Sequence, residues 1–239
     1  RPLSAPSAKI EPYMNAGLDE KTATVYAMIE MMDAGIGLIL DELDNFGLDD
    51  NTIVLFASDN GPDPLVGDRF NLKNRGTKYM VNEGGIHVPL AARWKGTIEP
   101  GRSDTLIHFV DLFPTLSELC SLDKVTRSKP LDGGSFAGVL TGGSADLPER
   151  RFWQWNRTVP DYTHNGAVRE GPWKLVRPYV TRNIPKAKSE REPRLYHLGN
   201  DPGEKSDLSA ENPDLRSRLL EQLDQWSAGV EKERLRPQK

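Results

Sequence analysis

Cysteine is nearly absent from this sequence: Cys120 is the single one among 239 residues. No internal disulfide can form, so stability has to come from packing. Cys120 lies in Leu119-Cys120-Ser121-Leu122, where a small buried residue at a helix end is expected. Basic excess is absent too. The net charge of -4 gives no footprint for nucleic acid, and none is expected as a partner. No apolar run approaches the roughly 18 residues that span a bilayer, so no membrane association is expected. Arg1-Pro2-Leu3-Ser4-Ala5-Pro6 lacks both Met and the charged and apolar regions of a leader, so no signal peptide is expected in this stretch. Neither a Gly-x-Ser-x-Gly elbow nor a Walker loop occurs. The four histidines, His87, His108, His164 and His197, show no metal-ligand spacing with one another or with Cys120. The chain therefore supplies no obvious self-contained catalytic set.

What is present suits a water-soluble α/β chain: 37% hydrophobic and 28% charged residues, enough for one large domain or one domain with a small appendage. Residues 1–18 are rich in Pro, Ser and Ala and read as a loop. From Asp19 to about Phe46 the residues Val25, Met28, Ile29, Met32, Ile36, Ile39, Leu40 and Leu43 recur at three- and four-residue steps, which predicts a helix with one apolar face. Asp19 and Glu20 suit its start, and Gly47 its end. Thr52-Ile53-Val54-Leu55-Phe56-Ala57 is a short apolar run rich in β-branched residues. That pattern predicts a strand buried on both faces, as in a parallel sheet. Residues 63–85 read as a long loop, Val88–Trp94 as a strand, Ile107–Leu119 as a helix, and 121–150 as a linker. Beyond a boundary near 145, short alternating segments around Phe152, Val168, Leu175 and Leu195 predict a small antiparallel sheet. A final helix starts at Asn212-Pro213-Asp214, with Leu215, Leu219, Leu220, Leu223 and Trp226 as its apolar stripe. The expected organisation is an α/β portion over 1–145 and a small antiparallel-sheet subdomain with a terminal helix over 146–239.

Two clusters can carry chemistry. Ser58-Asp59-Asn60-Gly61 follows the predicted buried strand, and ligands gather at the carboxyl ends of such strands. A carboxylate beside a carboxamide offers two hard oxygens, which suit calcium or magnesium rather than zinc. Asp-Asn-Gly is also an ordinary turn sequence, so both readings stay open on composition. Arg75-Gly76-Thr77-Lys78, with Glu83-Gly84-Gly85 after it, places cations in a Gly-containing loop that suits an anion; a solvated charged loop is the alternative. Gly84-Gly85 fits a tight backbone turn, and Glu83 can brace it or pair with a nearby cation. His87, His108 and His197 read as structural. His164, in a loop between Tyr162 and Asn165, is a candidate for substrate contact, with plain solvent exposure as the alternative. Trp153, Trp155, Tyr162 and Trp173 can stack on a sugar ring, but the core of the small sheet is the stronger reading.

Taken together, these segments resemble the type I sulfatase family, whose fold is alkaline-phosphatase-like. The resemblance rests on Tyr26-Ala27-Met28-Ile29-Glu30-Met31-Met32-Asp33-Ala34-Gly35-Ile36-Gly37, on Phe56-Ala57-Ser58-Asp59-Asn60-Gly61-Pro62, and on Lys78 with Glu83-Gly84-Gly85-Ile86-His87-Val88-Pro89. It extends through His108-Phe109-Val110-Asp111-Leu112-Phe113-Pro114-Thr115-Leu116, Ala167-Val168-Arg169-Glu170-Gly171-Pro172-Trp173-Lys174-Leu175 and Leu195–Glu204, in family order. The resemblance implies that Asp59 and Asn60 are metal ligands, to calcium or alternatively magnesium. It implies that Lys78 is a catalytic contact to the sulfate group. His87 stands where the family often has Arg, a structural variation.

The resemblance also implies a formylglycine nucleophile, made from Cys or Ser within Cys/Ser-x-Pro-x-Arg. Cys120 is followed by Ser121-Leu122-Asp123-Lys124, and no Ser satisfies the motif. The opening residues resemble a stretch that follows a family active-site histidine. The nucleophile and the paired aspartates that complete the metal site are therefore expected upstream, and residues 1–239 alone are expected to be inactive. The implied activity is sulfate ester hydrolysis on a sulfated small molecule or sugar, in the periplasm or outside the cell. The alternatives are a phosphonate or phosphodiester hydrolase on the same scaffold, and a non-catalytic carbohydrate-binding remnant.

Overall fold

A computed structural model describes residues 3–67, 71–122, 130–181 and 183–236. The residues read as an opening loop contain a helix, α1 (Ser7–Asn15). It carries Pro12 in its interior, which disfavours a helix, and docking on the following helix supports it: Tyr13 meets Tyr26 edge-on and Lys9 pairs with Glu30 at 2.6 Å. The predicted long helix is α2 (Glu20–Asn45), started by Asp19, whose Oδ1 accepts from the amides of Lys21 and Thr22. Gly47, at φ 63, ends it.

The packing of α2 differs from its pattern. Its buried residues are the small ones at its start, Thr22, Ala23, Thr24 and Ala27. Half of the apolar stripe is exposed, at Met28, Ile29, Met32 and Ile39, with Ile29 and Ile39 at 50% and 59%; Val25, Ile36, Leu40 and Leu43 are half-buried. The helix is also long and apolar enough to cross a bilayer by length and composition, with a mean hydropathy of 1.5. That corrects the expectation that no such segment exists. Searching for an unbroken apolar run misses it, because Glu30 and Asp33 interrupt the run without lowering the mean far.

Strand β1 (Val54–Ala57) follows and pairs with β2 (Leu90–Arg93). The pairing is antiparallel, with Val54 opposite Arg93 and Ala57 opposite Leu90. Half-buried residues replace the fully buried parallel strand expected. An apolar run reports that both faces are apolar; it carries no information on strand direction. The loop between the strands is not featureless. It contains a 3-10 turn at Pro64–Val66, capped by Asp63, and the helical turn α3 (Glu83–Ile86).

A 3-10 turn at Phe109–Asp111 leads into α4 (Leu112–Leu119). Cys120, just past α4, is exposed, against the burial expected, because α4 ends before it and the chain turns at Ser121, φ 55. Part of the linker, residues 123–129, lies outside the described residues. Its later part contains α5 (Ala137–Leu140), anchored by buried Phe136 and Ala137. The small sheet forms as predicted: β3 (Arg150–Gln154), β4 (Gly166–Glu170), β5 (Trp173–Val176) and β6 (Arg194–His197), all antiparallel in sequence order. Helix α6 (Pro213–Arg234) covers one face. Its Leu219 and Leu223 pack, fully buried, on Val168, Leu175 and Leu195. The other face buries Ala167, Val176 and Tyr196 with Val81, from the loop before α3. Trp153 and Trp155 pack on that second cluster and Trp173 on the first, which favours the core reading of these aromatics.

Candidate active site

The two sequence clusters meet through the backbone. Asp59 and Asn60 leave β1 in a turn closed by Ser58, whose Oγ donates to the Asn60 carbonyl at 2.8 Å. Ser58 N still donates to Pro89 O, extending the β1–β2 pairing by one residue. Then the chain crosses to α3: Gly61 N donates to Gly85 O at 2.9 Å, and Lys78 N donates to Pro62 O at 2.9 Å. The Asp59–Asn60 turn is thereby pinned to the Lys78 segment and to the Glu83-Gly84-Gly85 turn at once.

This close approach explains the glycines. A Cβ on Gly61 would strike the carbonyl oxygen of Gly84, and a Cβ on Gly84 would strike that of Gly76. Gly84 N donates to Arg75 O at 2.7 Å in the same stack. The pair Gly84-Gly85 thus makes the tight turn expected from sequence as a helical turn, packed between three backbone segments. Both are buried.

Asp59 is exposed and Asn60 half-buried. Their oxygens match a hard cation by type. By number they are part of a shell only, since calcium takes 6–8 oxygens and no group of three or more His, Cys, Asp or Glu able to hold a metal occurs among the described residues. Lys78 is half-buried, with its ammonium 5.6 Å from the ring centre of Tyr79. Tyr79 has φ 80, a conformation rare for a residue with a side chain and informative when it occurs. Its ring also meets Trp155 at 5.4 Å and the guanidinium of Arg157 at 5.7 Å. Tyr79 and Arg157 have no signature in the sequence; only the positive φ and the shared ring contact single them out.

His164 is buried, 7% exposed, in the loop joining β3 and β4. Its Nδ1 lies 2.7 Å from Thr163 Oγ1 and 3.8 Å from Asp161 Oδ2. Burial lowers its pKa against the opposing pull of Asp161. Arg75, grouped with Lys78 as an anion contact, turns instead to the small sheet. Its Nη1 donates to the Tyr196 hydroxyl at 2.8 Å and to the Glu204 carbonyl at 3.3 Å.

Glu83 does pair with a cation, one that lies 91 residues later. Lys174 of β5, fully buried, places Nζ 2.7 Å from Glu83 Oε1 and 3.0 Å from Glu204 Oε1. The Glu204 contact is close but off the hydrogen-bonding direction, since that oxygen has no hydrogen bond. The other oxygen, Glu204 Oε2, accepts from Glu83 N at 2.9 Å. Arg169 and His87 flank Glu83 Oε2 at 3.7 Å and 3.4 Å. Burial pushes the Glu83 carboxyl up, but the hydrogen bond from His87 and the charges of Lys174 and Arg169 outweigh it and hold the group at about 2.

A family model for sulfatases matches residues 2–122, a span that includes both loops and Glu83. The chain belongs to the sulfatase family. It is 29% identical over 218 residues to N-acetylgalactosamine-6-O-sulfatase of Bacteroides thetaiotaomicron, an alignment covering 82% of this chain and 40% of that protein. The sulfatase fold is found again in a solved Bacteroides thetaiotaomicron structure connected with the metabolism of multiple glycosaminoglycans. There the identity is 27%, the TM-score 0.70, and the match covers 90% of this chain and 46% of that one. Phosphonate monoester hydrolase of Agrobacterium radiobacter is 26% identical with a TM-score of 0.62, covering 88% of this chain and 42% of the hydrolase. This sulfatase-family chain therefore spans less than half the length of these relatives. Its architecture is the α/β, alkaline-phosphatase-like one, with a small antiparallel sheet and a carboxy-terminal helix. Lys174 and Glu204 lie beyond the matched residues.

Proposed function

We propose that the protein containing this chain hydrolyses sulfate esters with the help of calcium, and that this chain holds part of the cation site and one contact to the sulfate. The observation that carries the reading is the double backbone tie, Gly61 to Gly85 and Lys78 to Pro62. It ties the backbone just after Asp59 and Asn60 to that of Lys78 and of Gly85, which supports a site shared by the two sequence clusters. Magnesium is the alternative ion, having the same taste for oxygen.

Asp59 and Asn60 hold the cation through their side-chain oxygens. When bound, the cation neutralises oxygens that gain charge in the transition state. Lys78 holds a sulfate or leaving-group oxygen, and its charge stabilises the same build-up. His164, in its buried loop, is assigned to the substrate side. The nucleophile comes from outside these residues: the formylglycine of the family requires Cys/Ser-x-Pro-x-Arg, a motif absent here. The substrate class is a sulfated sugar, supported by the amino-sugar sulfatase and the glycosaminoglycan-linked structure among the relatives. The likeness to phosphonate monoester hydrolase supports a second reading, hydrolysis of phosphonate esters on this scaffold.

An assay of the full-length protein on matched aryl sulfate and aryl phosphonate esters separates the two. Preference for the sulfate ester, abolished by a chelator and restored by calcium, is expected. Preference for the phosphonate ester overturns the first reading in favour of the second. Residues 1–239 assayed alone are expected to show no turnover; sustained sulfate release by them would overturn the placing of the nucleophile elsewhere.

A further inference from the structure

The buried triad of Lys174, Glu83 and Glu204 is separate from the residues proposed to hold the ligands, yet it is wired to the segments that carry them. Lys174 stands on β5 of the small sheet, and Glu204 follows β6. Both are fully buried. Together they grip Glu83 at both ends: Lys174 takes the carboxylate at 2.7 Å, and Glu204 accepts the backbone amide at 2.9 Å. Glu83 opens α3, and two residues later Gly85 O accepts from Gly61 N. Gly61 follows Asn60 directly, and Pro62 O receives Lys78 N. Arg75 adds a second strut from the same loop to Tyr196 and Glu204.

Two carboxylates around one buried ammonium are expensive to assemble, because each charge loses its water. A hydrophobic trio would hold the sheet in place at lower cost. What the charged arrangement adds is direction: it fixes the height and rotation of α3, whose amide and carbonyl groups face the ligand-bearing loop.

We propose that Lys174 is a positioning residue, acting through Glu83 and α3 to set the Asp59–Asn60 turn and the Lys78 backbone in register. The proposal rests on the reading that those three residues hold cation and sulfate, but the register itself is measurable without it. The small sheet is then part of the site's machinery, and its role is to lock the loop.

The test is amide hydrogen exchange at Gly61 and Lys78 in Lys174→Met, a shape-conserving change that removes the charge, using the full-length protein. Exchange at both amides is expected to speed up about tenfold or more relative to the α6 core, since two buried carboxylates lose the cation they share. Arg151→Met is the control. It breaks the other buried ion pair between the sheet and the preceding segment, Arg151 with Asp111 at 2.8 Å. It is expected to lower stability while leaving Gly61 and Lys78 protected relative to the same core. Equal exposure of these amides in both variants, or none in Lys174→Met, overturns the proposal. Should Lys174→Met fail to fold, Glu204→Gln gives the same readout, and unchanged protection there overturns it equally. In the active protein, the calcium concentration giving half-maximal rate rises in Lys174→Met and the rate recovers at saturating calcium. A calcium-independent full-length enzyme with loosened amides would sink the metal reading and leave the positioning role standing.

Discussion

Lys174 Nζ lies 2.7 Å from Glu83 Oε1, across 91 residues of sequence and with both groups buried. The contact joins the small sheet to the turn beside the candidate site, and together with the His87 hydrogen bond and the Arg169 charge it makes the fold sensitive to acid. The folded-state pKa of Glu83, about 2, lies below its ordinary value of 4.5. Its stabilising contribution is therefore complete above about pH 4.5 and is lost as pH falls toward 2. The contribution is on the order of 3 kcal/mol. Urea unfolding at a series of pH values between 5 and 2.5 is expected to show this loss. The Glu83→Gln variant, starting from a lower stability, is expected to show a shallower slope; an unchanged slope would count against the assignment.

The second buried pair predicts a stability effect away from the site. Asp111 is fully buried, accepts from the backbone amides of His108 and Gly134, and pairs with Arg151. Asp111→Asn leaves the Arg151 charge stranded, at a cost of about 3–5 kcal/mol. Denaturant midpoints of the two proteins check it. A change below about 1 kcal/mol would mean that water reaches Arg151.

Gly61→Ala tests the meeting of the two loops. The added methyl strikes the Gly84 carbonyl, so either α3 or the Asp59–Asn60 turn has to shift. A destabilisation of about 1–3 kcal/mol is expected, with a larger loss of turnover than of folded protein. Full activity in Gly61→Ala would show that the loops stand further apart than described.

Lys78→Ala in the full-length protein is expected to lower kcat/KM by roughly 100- to 1000-fold, the scale for removing one donor to developing charge. Its stability is expected to stay within about 0.5 kcal/mol of the parent, as for other surface-proximal changes. Lys78→Arg is expected to keep part of the rate. Thermal unfolding measured beside the kinetics separates this outcome from simple misfolding; a fall in stability matching the fall in rate would remove Lys78 from the site.

Much of this was legible in residue order. The 3.6-residue spacing of α2 and α6, the alternation of β3–β6, and the Asp59-Asn60-Gly61 and Lys78–Gly85 clusters are local patterns, because helix and strand periods are set by the backbone itself. Asp19 marked the start of α2 by the same logic of unsatisfied amides. Residue order left Glu83 with two roles, bracing the glycine turn or pairing with a cation; its burial, seen only in the fold, makes the pairing necessary.

The partner was not readable. That Glu83 finds Lys174 and Glu204, that Arg75 turns to Tyr196, and that β1 runs antiparallel to β2 all depend on contacts between distant segments. No periodicity encodes those contacts. The same holds for Cys120 and for the stripe of α2, where an apolar pattern states a preference and only the neighbouring segments decide whether it is met. Residue order determines which groups this chain carries; folding decides which of them meet, because charge pairing and close packing act through space and take no account of separation along the chain.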